Sequence, residues 1–237
     1  MNSNYIIIIL IILFLFYHNQ TEHFRNSAFN KFDAIIYINM EHRRDRQELI
    51  LEEFEKMGIN KEKIFKISGV PVKKNGHKGC AQSHILALTL AKINNWKNVV
   101  IFEDDFQFIM NPEDVDVCLN SFLNNVKNWD VIMFSHAYTK MNTINIKHVD
   151  KIKSAQTTSG YAVNKHFYDK LLNNFMSANT NMSYFSSTRV GHEPNAIDQK
   201  WKSLQPHSEW YAFNPPLGKQ RANKSDIQSY TNYSKEK

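Results

Sequence analysis

The stretch Val99-Val100-Ile101-Phe102-Glu103-Asp104-Asp105-Phe106 constrains this chain more than any other. Four apolar residues, β-branched or aromatic, run directly into three carboxylates. A short apolar run bounded by polar residues reads as a strand buried on both faces. Side chains alternate along a strand, so Glu103 and Asp105 are expected on one side and Asp104 on the other. Buried carboxylates are costly unless paired, hydrogen-bonded or metal-bound. In an open α/β sheet, ligands bind beyond the carboxyl ends of the strands. Three acids at such an end are a candidate metal site, and hard oxygen ligands suit Mn²⁺ or Mg²⁺. The plain alternative is a charged loop whose acids cap the next helix.

The rest of the chain supports the same class. Its 237 residues suffice for one full α/β domain. With only 7 glycines, neither a G-x-G-x-x-G turn nor a Walker-type loop occurs. A formal charge of +6 favours anionic ligands, such as a nucleotide diphosphate, an acidic glycan or a membrane surface. The charge is modest and evenly spread, no nucleic-acid motif accompanies it, and nucleic acid is therefore not an expected partner. Cys80 and Cys118 form neither a zinc spacing nor a disulfide framework and read as two separate thiols.

Tyr5 to Tyr17 is a continuous hydrophobic run, short of the roughly 20 residues that cross a bilayer. With no positive residue before it and no Ala-x-Ala site after it, residues 1–17 read as an uncleaved anchor. A signal-peptide core is the alternative. Arg25 and Lys31 follow the run and would by themselves keep the domain cytoplasmic, while sequons at Asn19, Asn181, Asn223 and Asn232 matter only on the other side. Residues 18–31 are polar and read as a stem, 32–227 as the folded domain and 228–237 as a polar tail.

Within the domain, Ala34 to Ile38 is the first strand, and Arg43 to Met57 is a helix that Gly58 stops. Ile64 to Ile67 is a second strand, and a helix is expected from Cys80 to about Asn94. Asn111-Pro112 opens another, with Asn as cap and Pro in the first turn. Val131 to Phe134 is a strand, Thr143 to Ile152 an antiparallel edge strand, and Ser159 to Val163 a strand leading into a helix. Met176 to Gly191 reads as a loop over a site, and Ile197 to Leu204 as a short helix. Alternating strands and helices give a mostly parallel sheet with antiparallel additions.

Several constellations carry candidate chemistry. Asn39 to Arg46 follows the first strand, where nucleotides dock in such sheets; Arg43 would clamp a diphosphate and Asn39 read a base or ribose, or the segment is a solvated first turn. Cys80, Ser83 and His84 share one helix face near an expected N-terminus, which attracts anions. Gly160-Tyr161 would let a sugar approach the backbone and stack on the ring, or is plain strand packing. Asp198, beside Trp201, would be a general base or a helix cap.

Taken together, these pieces resemble glycosyltransferase family 25, the bacterial lipooligosaccharide and procollagen galactosyltransferases. Ile38, Asn39, Met40, Arg43, Asp45 and Arg46 match its Ile-Asn-Leu-x-x-Arg-x-Asp-Arg pattern, with Met40 in place of Leu. Gly79, Cys80, Ser83 and His84 match Gly-Cys-x-x-Ser-His, and Glu103, Asp104 and Asp105 are its Glu-Asp-Asp. Gly160-Tyr161, Asp198 with Trp201, and Pro216, Gln220 and Ser225-Asp226-Ile227 follow in family order. The resemblance implies a GT-A-type α/β fold, a UDP-sugar donor, and transfer with inversion to a glycan or glycoprotein acceptor. It implies that Asp105 binds Mn²⁺ or Mg²⁺ and that Glu103 touches ribose or a metal-bound water. It implies further that Asp104 orients that shell, that Asn39, Arg43, Ser83 and His84 hold the nucleotide, that Asp198 is the base, and that Gln220 approaches the metal. Gln47 stands where the family often has a basic residue. The competing class is a membrane-anchored glycan-binding protein without turnover, which would not need Glu103, Asp105 and Asp198 together.

Overall fold

The computed structural model describes residues 27–183 and 193–222, with Ile9 and Ile11 besides. The rest of the hydrophobic run, residues 18–26 of the stem, residues 184–192 and the segment containing Ser225-Asp226-Ile227 lie outside them. Among the described residues, no helix is long and apolar enough to cross a membrane.

The chain alternates as expected. β1 (Ala34–Asn39) leads to α1 (Arg44–Lys56), β2 (Ile64–Ser68) to α2 (Gly76–Ile93), and β3 (Asn98–Glu103) through a tight turn to β4 (Phe106–Phe108). α3 (Pro112–Asn125) and β5 (Val131–Met133) follow, then the hairpin of β6 (Ala137–Thr143) and β7 (Val149–Gln156). β8 (Gly160–Asn164), α4 (Tyr168–Asn181), α5 (Ile197–Lys200), β9 (Trp210–Phe213) and β10 (Gly218–Gln220) complete it.

Eight strands form one sheet in the order β2-β1-β3-β8-β5-β9-β7-β6, and β10 pairs with β4 in a second. In the main sheet β8 and β7 run against the other strands, so the sheet is mixed and mostly parallel in direction. Strand alternation divides the core in two. Ile35, Tyr37, Val100 and Phe102 face α1 and α3, while Ala34, Ile36, Val99 and Ile101 face α2 and α4. Both faces are covered, which is why the central strands read as unbroken apolar runs.

Four expectations are corrected. Residues 28–31 are no stem: they form a 3-10 turn whose Phe29 is fully buried, its ring 6.2 Å from Phe102 and 5.9 Å from Phe134. Burying one such ring contributes about 1.5–3 kcal/mol, enough to hold the segment in the fold. The second helix starts at Gly76, because the Asn75 side chain accepts from the Lys78 N–H at 3.2 Å; Cys80 and Ser83 therefore lie inside the helix and not at its anion-attracting end. The single edge strand at 143–152 is instead a hairpin, with β6 at the edge and β7 inside it. The loop expected from Met176 is helical as far as Asn181.

Candidate active site

β3 ends at Glu103, so strict alternation stops there and Asp104 and Asp105 occupy the turn into β4. Glu103 still follows the strand pattern and points to the α2 side. Its Oε1 accepts from the Thr158 hydroxyl at 2.5 Å and lies 3.2 Å from His84 Nε2. The other His84 nitrogen is 2.9 Å from the Tyr161 hydroxyl. Burial pushes the Glu103 carboxyl up, but His84 and Thr158 outweigh it and hold the group below its ordinary value.

Asp104 turns the opposite way, onto α1. Arg46 Nη1 donates to its Oδ1 at 2.9 Å, and Asn39 Nδ2 donates to its Oδ2 at 2.8 Å. The inner face of α1 carries Arg46, Ile50, Glu53 and Phe54, and both of its charged members are paired. Asp105 fares differently. Its carboxylate is 3.7 Å from Arg46 Nη1 and 3.5 Å from Gln220 Nε2, with no shorter side-chain partner among the described residues. Burial, followed by the neighbouring Glu103 charge, pushes it up to about 7.

Opposite the acids, the turn Thr157-Thr158 between β7 and β8 joins the remaining pieces. The Thr157 N–H donates to Asp198 Oδ2 and its hydroxyl to Gln220 Oε1, both at 3.3 Å. Thr157 has φ 84°, a conformation that costs a β-branched residue and marks a turn its surroundings over-determine. Asp198 is raised by burial, at the start of α5. The antiparallel direction of β8 matters here: its first residues lie at the edge where β1 and β3 end.

These groups line one cavity of about 510 Å³. Ser83, His84, Glu103, Asp104, Asp105, Asp198 and Gln220, named from sequence, all reach it. Four others do not. Arg43 forks onto Asp45, with contacts of 3.0 and 2.9 Å, and holds that carboxyl down at about 2. Asn39 is buried and donates to Asp104 and to the Arg43 carbonyl, so its amide orients an acid. Tyr161 is fully buried behind His84, which removes its ring from any sugar. Gly160 makes room for the Phe106 ring, whose nearest atom would lie 2.6 Å from an added Cβ, and not for a ligand. Ser83 reaches the cavity but also bonds the Gly79 carbonyl and the Val70 N–H, tying α2 to the loop after β2.

Arg46, which the sequence offers with its neighbouring arginines as a diphosphate clamp, lines the cavity, as do Lys73, His77 and Thr158, to which the sequence assigns no role. For Arg46 a signal existed. It falls on the apolar stripe of α1, and a charge there requires a buried acid elsewhere. Lys73, His77 and Thr158 gave none.

The donor sets fit a cation in two places. Asp105, half-buried and under-bonded in the cavity lining, suits a hard ion completed by phosphate oxygens and water. Separately, Cys80, His84 and Glu103 each offer an atom within 4.8 Å of the others.

No family model matches this chain, so the likeness to family 25 rests on the motif residues themselves. No curated protein matches it either. Solved structures with a similar course of the chain include mannose-1-phosphate geranyltransferase from Thermus thermophilus, at 8% identity over 76% of this chain and 72% of that one, TM-score 0.43. A197 from STIV is similar at 10% identity over 76% and 80%, TM-score 0.44. A glycosyltransferase involved in the glycosylation of the major capsid of PBCV-1 is similar at 15% identity over 76% and 92%, TM-score 0.39. Likenesses this distant carry no argument about chemistry; the cavity does.

Proposed function

We propose that this chain is a metal-dependent glycosyltransferase that moves a hexose, galactose or glucose, from a UDP-sugar to an acceptor hydroxyl on a glycan or protein, with inversion. One observation carries the reading: the under-bonded Asp105 and the half-buried Asp198 line a single cavity from separate elements, and Arg46, Lys73 and His77 line it too. Acids beside cations suit a diphosphate that arrives with its own divalent ion.

Asp105, with Glu103 and Gln220 beside it, would hold Mn²⁺ or Mg²⁺; the ion supplies neutralisation of the departing diphosphate. Arg46 fixes Asp104 and leaves Asp105 turned to the cavity. Lys73 and His77, on the loop and first turn leading into α2, draw the phosphates in. Asp198 takes the proton of the acceptor hydroxyl at a carboxylate oxygen, and the affinity for protons that burial gives it makes it the better base. In the same reading, residues 5–17 tether the domain to a membrane.

The test is a donor screen on the full chain with UDP-galactose, UDP-glucose and UDP-N-acetyl sugars, with Mn²⁺ and with chelator. Turnover should require the ion and vanish in Asp105→Ala. Undiminished turnover in that variant would remove Asp105 from the metal.

A further inference from the structure

We propose that Cys80, His84 and Glu103 form a binding site for a thiophilic divalent cation, Zn²⁺ being the natural occupant, centred on Cys80 and His84 and sharing Glu103 with the hard-ion position at Asp105. The three ligand atoms come from one helix turn and the adjoining strand end: Cys80 and His84 are one turn apart on α2, and Glu103 closes β3. All three line the cavity, and their donor atoms lie within 4.8 Å of one another. Tetrahedral zinc, with bonds of about 2.0–2.3 Å, sets its ligand atoms about 3.3–3.7 Å apart. His84 Nε2 and Glu103 Oε1 are already 3.2 Å apart, so the Cys80 side chain has the larger adjustment to make.

The surroundings supply what such a site needs beyond its ligands. A metal-binding histidine donates its other ring N–H to a fixed acceptor. Here the Tyr161 hydroxyl stands 2.9 Å from His84 Nδ1 and is buried. Glu103 is held by Thr158 at 2.5 Å. On binding, the Cys80 thiol gives its proton to solvent; His84 holds a proton on Nδ1 toward the Tyr161 hydroxyl, any proton that Nε2 shares with Glu103 Oε1 leaves to solvent, and the freed Nε2 lone pair goes to the ion. Three protein ligands leave the fourth position open to the cavity. One thiolate and one imidazole favour Zn²⁺, Co²⁺ or Cd²⁺ over Mn²⁺ and Mg²⁺.

The binding claim stands apart from the transferase reading. Only its consequence rests on that reading: the soft ion draws Glu103 away from the donor and so inhibits Mn²⁺-dependent transfer.

The experiment titrates the full chain with Co²⁺ and follows thiolate-to-cobalt absorption in the near ultraviolet. One equivalent should produce the band and Zn²⁺ should erase it. The band should be absent in Cys80→Ser and present in Cys118→Ser and Asp105→Asn. Tyr161→Phe should weaken Zn²⁺ binding by about 10- to 100-fold. Absence of the band in the wild type, its survival in Cys80→Ser, or its loss in Asp105→Asn would each overturn the site. A variant-free check is alkylation of Cys80 by iodoacetamide, followed by peptide mass: Zn²⁺ should slow it and Mn²⁺ should not. An unchanged rate with Zn²⁺ overturns the proposal whether or not the variants fold. None of these readouts needs a sugar donor, so failure here leaves the transferase reading untouched, and the reverse holds.

Discussion

Asp105 is the residue whose environment asks most of it. Its ordinary value is 3.8 and the fold raises it to about 7, so the folded state binds the proton more tightly than the unfolded chain does. Stability is therefore lost as pH rises through the window from about 4 to about 7 and stays low above it. Asparagine carries no charge at any of these values. In chelator, Asp105→Asn should match the wild type in Tm near pH 4 and exceed it increasingly up to pH 7, with no further divergence beyond. Added Mn²⁺ should raise the Tm of the wild type at pH 8 and leave Asp105→Asn unmoved. A constant Tm difference across pH would mean that Asp105 is ionised throughout. Thr157 is the second residue under tension. Glycine accepts a positive φ at no steric cost, so Thr157→Gly should hold or raise Tm while kcat falls, because the hydroxyl on Gln220 is gone. A fall in Tm with kcat unchanged would make Thr157 an ordinary packing residue.

Elements explain why some of this was legible and some was not. β1, β3 and β5 are buried on both faces, so continuous apolar runs announced them. β4, β9 and β10 have three or four residues each, too few for any period to show. Gly79 hid the true start of α2. It reads as a loop residue on propensity, yet it lies inside the helix that Asn75 caps, and it is glycine because the Val70 carbonyl would lie 2.4 Å from any Cβ there. Glu103, Asp104, Asp105, Asp198, Ser83 and His84, candidates from the sequence, all line the cavity. Which of Asn39, Arg43, Gly160 and Tyr161 faces the cavity was not legible, since that depends on neighbours distant in sequence. The Phe106 ring illustrates this: it wedges between Gly160 and Gly218 and thereby seats the Asp104-Asp105 turn. Gly218→Ala would place a Cβ 2.2 Å from that ring and 2.5 Å from the Gln107 carbonyl. Overpacking of this kind costs about 1–3 kcal/mol, read as a drop in denaturation midpoint. An unshifted midpoint would show that Phe106 has room to move.

On the scale of the molecule, the cavity gathers residues from Ile38 to Gln220, and no single segment could build it. Asp198 tests whether the two walls act together. Under the transferase reading, Asp198→Asn should lower kcat by about 10²–10⁴-fold while donor binding, measured by calorimetry, is spared. Loss of donor binding would instead place Asp198 among the residues that hold the wall up. The position of β9 has a consequence for synthesis. It is the ninth strand made, yet it lies inside the sheet, pairing Tyr211 with Ile132 on one side and with Lys151 on the other. Until it emerges from the ribosome, β5 and β7 each present an open hydrogen-bonding edge, the template on which chains join one another. A chain that stops before residue 210 is therefore expected to leave both edges unpaired and to self-associate, which light scattering of such a truncated chain would show.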